Sequence, residues 1–183
     1  MKTEIETRFL DIDKKLIIEL LHSLGATDKG DVKLDEIIFY DTGNRWKNEN
    51  KFVKIRNNGK VIKLIYKENS NKTIDGAHEI EFEVSDVSAA KAFVEALGLV
   101  AYRTVEKYRH TFVLDGVTLD IDTWPKIPVY VELEGESVSA IRDVAEKLGF
   151  IWENRFDGDP RFVFKKYGFD FDNIHTVTFS KFE

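Results

Sequence analysis

Acidic residues spaced two apart recur along this sequence: Glu4/Glu6, Glu79/Glu81 with Glu83 extending the series, Asp120/Asp122 and Glu132/Glu134. In an extended strand, residues i and i+2 share a face roughly 7 Å apart, so each pair aims two carboxylates the same way. Such carboxylates repel one another and resist burial unless a cation sits between them or the face lines a wet cavity. Basic residues obey the same spacing. Arg8 shares the face of Glu4 and Glu6, and Lys54/Arg56, Lys63/Lys67 and Arg103/Lys107/Arg109 each fall on one face. A ligand of one sign would not need both sets. A polyphosphate carrying a divalent metal would, because carboxylate oxygens hold hard cations such as Mg²⁺ or Mn²⁺ while Arg and Lys neutralise phosphate oxygens. Phosphoryl transfer on such a ligand depends on positioning and charge stabilisation and needs no side-chain nucleophile.

The elements that would carry these residues follow from patterning. Residues 4–9 predict a strand, and Asp11 or Asp13 caps a helix carrying Leu16, Ile17, Leu20, Leu21 and Leu24 up to Gly25. Further strands are predicted at 36–41, 52–56, 61–67, 79–84, 102–113, 117–122 and 129–134. Asn57-Asn58-Gly59-Lys60 and Asp115-Gly116 are turns, and 43–51 and 68–77 are polar loops. A second helix, capped by Ser85 or Asp86, would turn Ala90, Phe93, Val94 and Leu97 to the core; a third covers 138–148. In the tail, Asp159-Pro160 opens a short helix through Tyr167, and 176–182 forms a last strand. This is an α+β pattern. A charged strand face usually meets bulk water, but acids and bases segregated strand after strand fit a closed β-barrel with helices packed outside and the charges in the lumen.

Composition sets the bounds. With 183 residues, 43% of them hydrophobic and 13% aromatic, the chain suits one globular domain over 1–183. The lack of cysteine excludes disulfides and thiolate metal sites. No apolar run is long enough to span a bilayer, so a cytoplasmic protein with no membrane partner is expected, and the net charge of −6 argues against nucleic acid as a partner. The four histidines lack metal spacing, no Walker loop or Gly-x-Ser-x-Gly elbow is present, and Trp46, Trp124 and Trp152 read as packing residues. Asp157 to Arg161 reads as a helix-capping turn rather than a lid. Lys67, Arg103 and Asp120 have the parity of the lumen set but weaker motif support, and stand outside the candidate site.

The ordered set of these residues resembles the CYTH superfamily, the triphosphate tunnel metalloenzymes that include class IV adenylyl cyclases and thiamine triphosphatases. Glu4-x-Glu6-x-Arg8 resembles its N-terminal Glu-x-Glu-x-Lys signature. Tyr40-Asp41, Lys54-x-Arg56, Lys63, Glu79-x-Glu81, Lys107-x-Arg109, Asp122 and Glu132-x-Glu134 follow in the family's order. The resemblance covers roughly residues 1–135 and implies an eight-stranded antiparallel tunnel binding a triphosphate-containing small molecule with Mg²⁺ or Mn²⁺. It implies Glu4, Glu6, Asp122, Glu132 and Glu134 as metal-side acids. Arg8, Lys54, Arg56, Lys63, Lys107 and Arg109 would grip phosphates, with Glu79 and Glu81 serving the acid cluster or ordering those bases. Glu4, Glu6 and Arg8 would be the catalytic set. The sequence departs from the pattern at Arg8, where the family has Lys, and between Trp124 and Pro128, which lacks the family's glycines. Hydrolysis of inorganic triphosphate, a nucleoside triphosphate or thiamine triphosphate is the activity expected. Cyclisation of ATP to cyclic AMP and pyrophosphate is the alternative, a non-catalytic polyphosphate or nucleotide sensor a third, and monomer and homodimer both stand open.

Overall fold

The computed structural model describes residues 2–69, 74 and 76–183. Eight strands close into an antiparallel barrel: β1 (Lys2–Phe9), β2 (Thr27–Asp41), β3 (Lys51–Asn57), β4 (Ile62–Asn69), β5 (Ala77–Val84), β6 (Leu99–Leu114), β7 (Val117–Thr123) and β8 (Tyr130–Gly135). Their order around the barrel is β2-β3-β4-β5-β1-β8-β7-β6, with β6 pairing back onto β2. The last strand, β9 (Thr176–Val177), adds in parallel to β6 outside the closed ring.

Closure leaves each strand with an inner and an outer face, and the helices cover the outer one. α1 (Lys14–Ser23) is capped by Asp13, whose side chain accepts from the Lys15 and Leu16 amides, and buries Ile17 and Leu21. α4 (Val138–Lys147), capped by Ser137, buries Ile141, Val144 and Ala145. Together they form one core with the outer faces of β1, β6, β7 and β8, built on residues such as Phe112, Leu119, Val131 and Leu133. α3 (Val87–Ala96), capped by Asp86, seals Phe39, Ile55 and Leu64 with Ala90 and Val94.

Four expectations need correction. The strand expected at 36–41 is only the end of β2, whose earlier half is polar and bulges at Asp28/Gly30, where Gly30 takes a positive φ. Its pairing with β6 along most of its length holds it extended, a long-range partner that local pattern does not reveal. Within the expected 43–51 loop, α2 (Arg45–Asn48) makes one helical turn. On α3, Phe93 and Leu97 face solvent at 57% and 67% exposure, because the small Ala90 and Val94 make the contact with the sheet. The loop expected at 68–77 is shortened by β4, which reaches Asn69, and by β5, which starts at Ala77; residues 70–73 and 75 lie outside the described residues.

The tail is the other departure. The expected strand at 176–182 is two residues long, after which the chain turns at Thr178–Lys181 and bridges Phe182 back to Val177. α5 (Pro160–Lys166), capped by Asp159 as the sequence implied, packs with the tail over one end of the barrel. Phe164 is fully buried there, stacked on Phe171 and edge-on to Trp124. Phe164→Ala should therefore cost roughly 3–5 kcal/mol of stability, read as a lowered urea midpoint with little change in slope.

Candidate active site

A cavity of about 540 Å³ runs inside the barrel, within the range typical of small-molecule sites. The tail covers one end. Asp159, Pro160, Arg161 and Phe171 of the tail line it there, beside Tyr40, Phe52, Arg103 and Trp124. The Asp157–Arg161 segment thus caps α5 and also lies across this end of the tunnel: the Arg8 guanidinium donates to the Gly158 carbonyl (2.9 Å), and Asn50 and Asn69 hold Arg161 and Asp159. At the other end Lys63 and Glu81, joined at 2.6 Å, have side chains 37% and 40% exposed and mark the mouth.

The acid side of the lumen is set by strand register. β1 and β8 place Glu6 opposite Glu134 and Arg8 opposite Glu132, the cross-strand relation that brings side chains within about 5 Å. The repulsion expected among these carboxylates is relieved by bases of the chain itself. Arg8 bonds Glu6 (3.0 Å) and Glu132. From β4, Lys67 reaches Glu4 at 2.7 Å, Glu6 at 3.5 Å and Glu79 at 4.0 Å. Burial would strip Glu132 of its charge, but Arg8, Arg109 and Lys107 outweigh it and hold its carboxyl well below the ordinary range.

The opposite wall is basic and carries acids of its own. Arg109 grips Asp122 through two nitrogens at 2.7 Å, and Lys107 reaches the same carboxylate at 2.7 Å. On β2, Glu36 accepts from Arg56 Nε at 2.6 Å and lies 3.8 Å from Lys54. Burial opposes ionisation of Glu36, yet Lys54, Arg56 and Lys107 lower its pKa strongly. Lys54 moves the other way: burial first, then the neighbouring Arg56, bring it down to about 8 in spite of Glu36.

Of the expected site residues, Glu4, Glu6, Arg8, Lys54, Arg56, Glu79, Glu81, Lys107, Arg109, Glu132 and Glu134 all line the cavity. Lys63 stands at the mouth rather than in the lining. Asp122, expected beside the metal, has no exposed surface and is enclosed by Lys107 and Arg109, so as placed it orders those two bases. Lys67, Arg103 and Asp120, set aside on motif grounds, line the cavity as their strand parity indicated. Glu36, Asp159 and Arg161 were missed. Parity with Tyr40 was the available signal for Glu36, but its strand is apolar on both faces; the other two come from the tail, which has no lumen-facing strand pattern.

In sequence, no curated protein matches the chain. The CYTH domain family does, over residues 2–158. The chain belongs to the CYTH domain family. The helix α5 and the tail after it, from Asp159 onward, lie beyond that match. Among solved structures, the PH1012 protein of Pyrococcus horikoshii OT3 is similar, with a TM-score of 0.74 at 25% identity over 87% of this chain and 98% of that one. A candidate adenylate cyclase from Vibrio parahaemolyticus gives a TM-score of 0.76 at 10% identity, over 90% of this chain and 98% of its own. HpAC1 of Hippeastrum, a candidate adenylyl cyclase for which a dominant triphosphatase activity is described, gives 0.63 at 15% identity, over 92% and 96%. At 10% and 15% identity, these two neighbours share the fold.

The donor chemistry of Glu4, Glu6, Glu132 and Glu134 suits a hard divalent cation, being all carboxylate oxygen. Among the described residues no three acids converge at metal-binding geometry; Glu4, Glu6 and Glu132 are turned onto Lys67, Arg8 and Arg109 instead. The buried ion pairs also fix an acid sensitivity. Glu36, Asp122, Glu132 and Asp159 are more acidic folded than unfolded, while burial shifts Glu79 and Asp120 upward. The stability contributed by the first four is complete above about pH 4.5 and is lost as the pH falls toward their folded values. Urea unfolding at neutral pH and at about pH 3 should show that loss, and an unchanged midpoint would contradict these pairings.

Proposed function

We propose that this protein is a metal-dependent triphosphatase, hydrolysing inorganic triphosphate, a nucleoside triphosphate or thiamine triphosphate within the tunnel. The observation that carries this reading is the lining: a barrel cavity in which carboxylates of β1 and β8 meet the bases Lys54, Arg56, Lys107 and Arg109 of β3 and β6. Lys54, Arg56, Lys107 and Arg109 bind phosphate oxygens, with Arg8 and Lys67 at the junction with the acids. Glu4, Glu6, Glu132 and Glu134 would hold Mg²⁺ or Mn²⁺, which supplies Lewis acidity at the phosphate and lowers the pKa of a bound water. Asp122, by clamping Arg109 and Lys107, keeps two of the phosphate contacts in place.

In the free protein these acids and bases are each other's counter-ions. Phosphate oxygens that take over Arg8 and Lys67 release Glu4, Glu6 and Glu132 for the cation, so metal and triphosphate bind as a coupled pair. Hydrolysis rather than cyclisation is favoured by where the aromatic residues lie. Tyr40, Phe52, Trp124 and Phe171 all sit at the end covered by the tail, while the mouth, marked by Lys63 and Glu81, is charged. A nucleoside trailing its phosphates through that mouth finds no stacking platform among those marker residues to fold its ribose back onto the α-phosphate.

The deciding experiment incubates the protein with inorganic triphosphate, ATP and thiamine triphosphate, each with Mg²⁺ or Mn²⁺, and resolves the products by chromatography. Orthophosphate release is expected. Cyclic AMP with pyrophosphate would make the protein a cyclase, and tight binding without product a sensor. Glu6→Ala should abolish metal-dependent turnover, yet shift the melting temperature by no more than about 4 °C, since Arg8 keeps Glu132 and the Gly158 carbonyl as partners. Coupling is checked by thermal shift: metal plus inorganic triphosphate should raise the melting temperature by more than the sum of the two added alone.

A further inference from the structure

Glu36 is the one cavity-lining acid contributed by β2, four places around the eight-stranded ring from β1. At 4% exposure it is deeply buried, and the charges around it are basic: Arg56 at 2.6 Å, Lys54 at 3.8 Å, and Lys107 nearby on β6. Its charge is already met by cations, so it is not placed as a metal ligand. Its bond to Arg56 is made at Nε, not at the terminal nitrogens. A guanidinium held at Nε keeps its two-pronged end directed away from the holder, the end that binds phosphate as a fork.

We propose that Glu36 is a positioning residue of the phosphate grip: it orients the Arg56 fork and supplies the counter-charge that keeps Lys54 a cation. The inference rests on the triphosphate reading and deepens it. Lys54 is surrounded by opposing influences. Arg56 on its own strand and Lys67 on β4 disfavour its charge, Glu36 on β2 and Glu79 on β5 favour it, and Glu81 on β5 also feels it. Burial is the largest influence and disfavours the charge, which leaves Lys54 titrating near 8. Glu36 is the stronger of the two charges opposing that fall, ahead of Glu79. Without it Lys54 would lose its proton at lower pH, and the grip on phosphate would weaken through the neutral range.

The test measures the affinity of inorganic triphosphate with Mg²⁺ by calorimetry from about pH 6.5 to 9.5 in wild type, Glu36→Gln, Glu36→Asp and Lys54→Arg. The ligand ionises in the same range, so each profile is divided by that of Lys54→Arg, in which position 54 does not titrate. Wild type should then show a fall in affinity centred near 8, the value to which Lys54 is brought. Glu36→Gln keeps an acceptor for Arg56 but loses the charge, and its fall should come at least about 0.5 lower in pH. Glu36→Asp keeps the charge but withdraws it from Nε, so the fall should stay near the wild-type position while affinity drops about three- to tenfold at all pH values.

A fall at the wild-type position in Glu36→Gln overturns the proposal, because a merely structural carboxylate would change affinity without moving the profile. Circular dichroism checks folding first. If Glu36→Gln does not fold, Glu36→Asp decides, and wild-type affinity there overturns the orienting role. Wild-type protein that binds no triphosphate at any pH overturns this inference together with the triphosphate reading, whereas wild-type binding with unmoved variants overturns the inference alone.

Discussion

Charge balance inside a closed wall is the constraint on which the rest of this structure depends. A barrel whose inner face carries acids and bases cannot leave any of them alone at low exposure, because an unpaired buried charge costs several kcal/mol. The chain meets this by register. The β1–β8 alignment sets Arg8 against Glu132, the β6–β7 alignment sets Arg109 against Asp122, and the β2–β3 alignment sets Glu36 against Arg56. A slip of one residue would send every one of these side chains to the outer face, under the helices, while apolar residues filled the lumen. The ion pairs and the apolar outer core thus select the same register from opposite sides of the sheet.

The apolar part of the structure does the complementary work. Two outer cores, one under α1 and α4 and one under α3, hold the barrel shut, and a third at the tunnel's end joins the tail to Tyr40, Trp124 and Tyr130. That third core is rich in stacked and edge-on aromatic contacts among Phe164, Phe169, Phe171 and Phe182. Arg103 belongs to both worlds. Its guanidinium lies 3.8 Å from the centre of the Phe171 ring and donates to the carbonyls of Phe171 and Ile174, so a lumen cation also fastens the tail.

Much of this was legible in the sequence where two signals coincide. β5 and β8 alternate acids with apolar residues, and β1 adds the Glu-x-Glu-x-Arg signature, so element, face and role could be read together. Legibility failed where only one signal was present. Thr27 to Asp31 has no apolar residue and Asp31 to Asp35 only the short alternation of Val32 and Leu34, so this stretch becomes strand through its partner β6. Glu36 begins a run, Ile37-Ile38-Phe39-Tyr40, that is apolar on both faces, which hid the direction of its carboxylate. On α3 the helical period was right and the buried face was misjudged by two residues, since Phe93 and Leu97 lie on its margin. Lys67, Arg103 and Asp120 show the converse: parity alone placed them, and weighting motif over parity left them out.

The tail-covered end of the tunnel has a kinetic meaning beyond its packing. A passage open at both ends lets a molecule enter on one side while its remnant departs on the other. Here Asp159, Arg161 and Phe171 line the far end, with Gly158 tied to Arg8, and the charged pair Lys63 and Glu81 marks the other. For a ligand held between the two ends, the rate at which the bases let go sets how soon the cavity is free again.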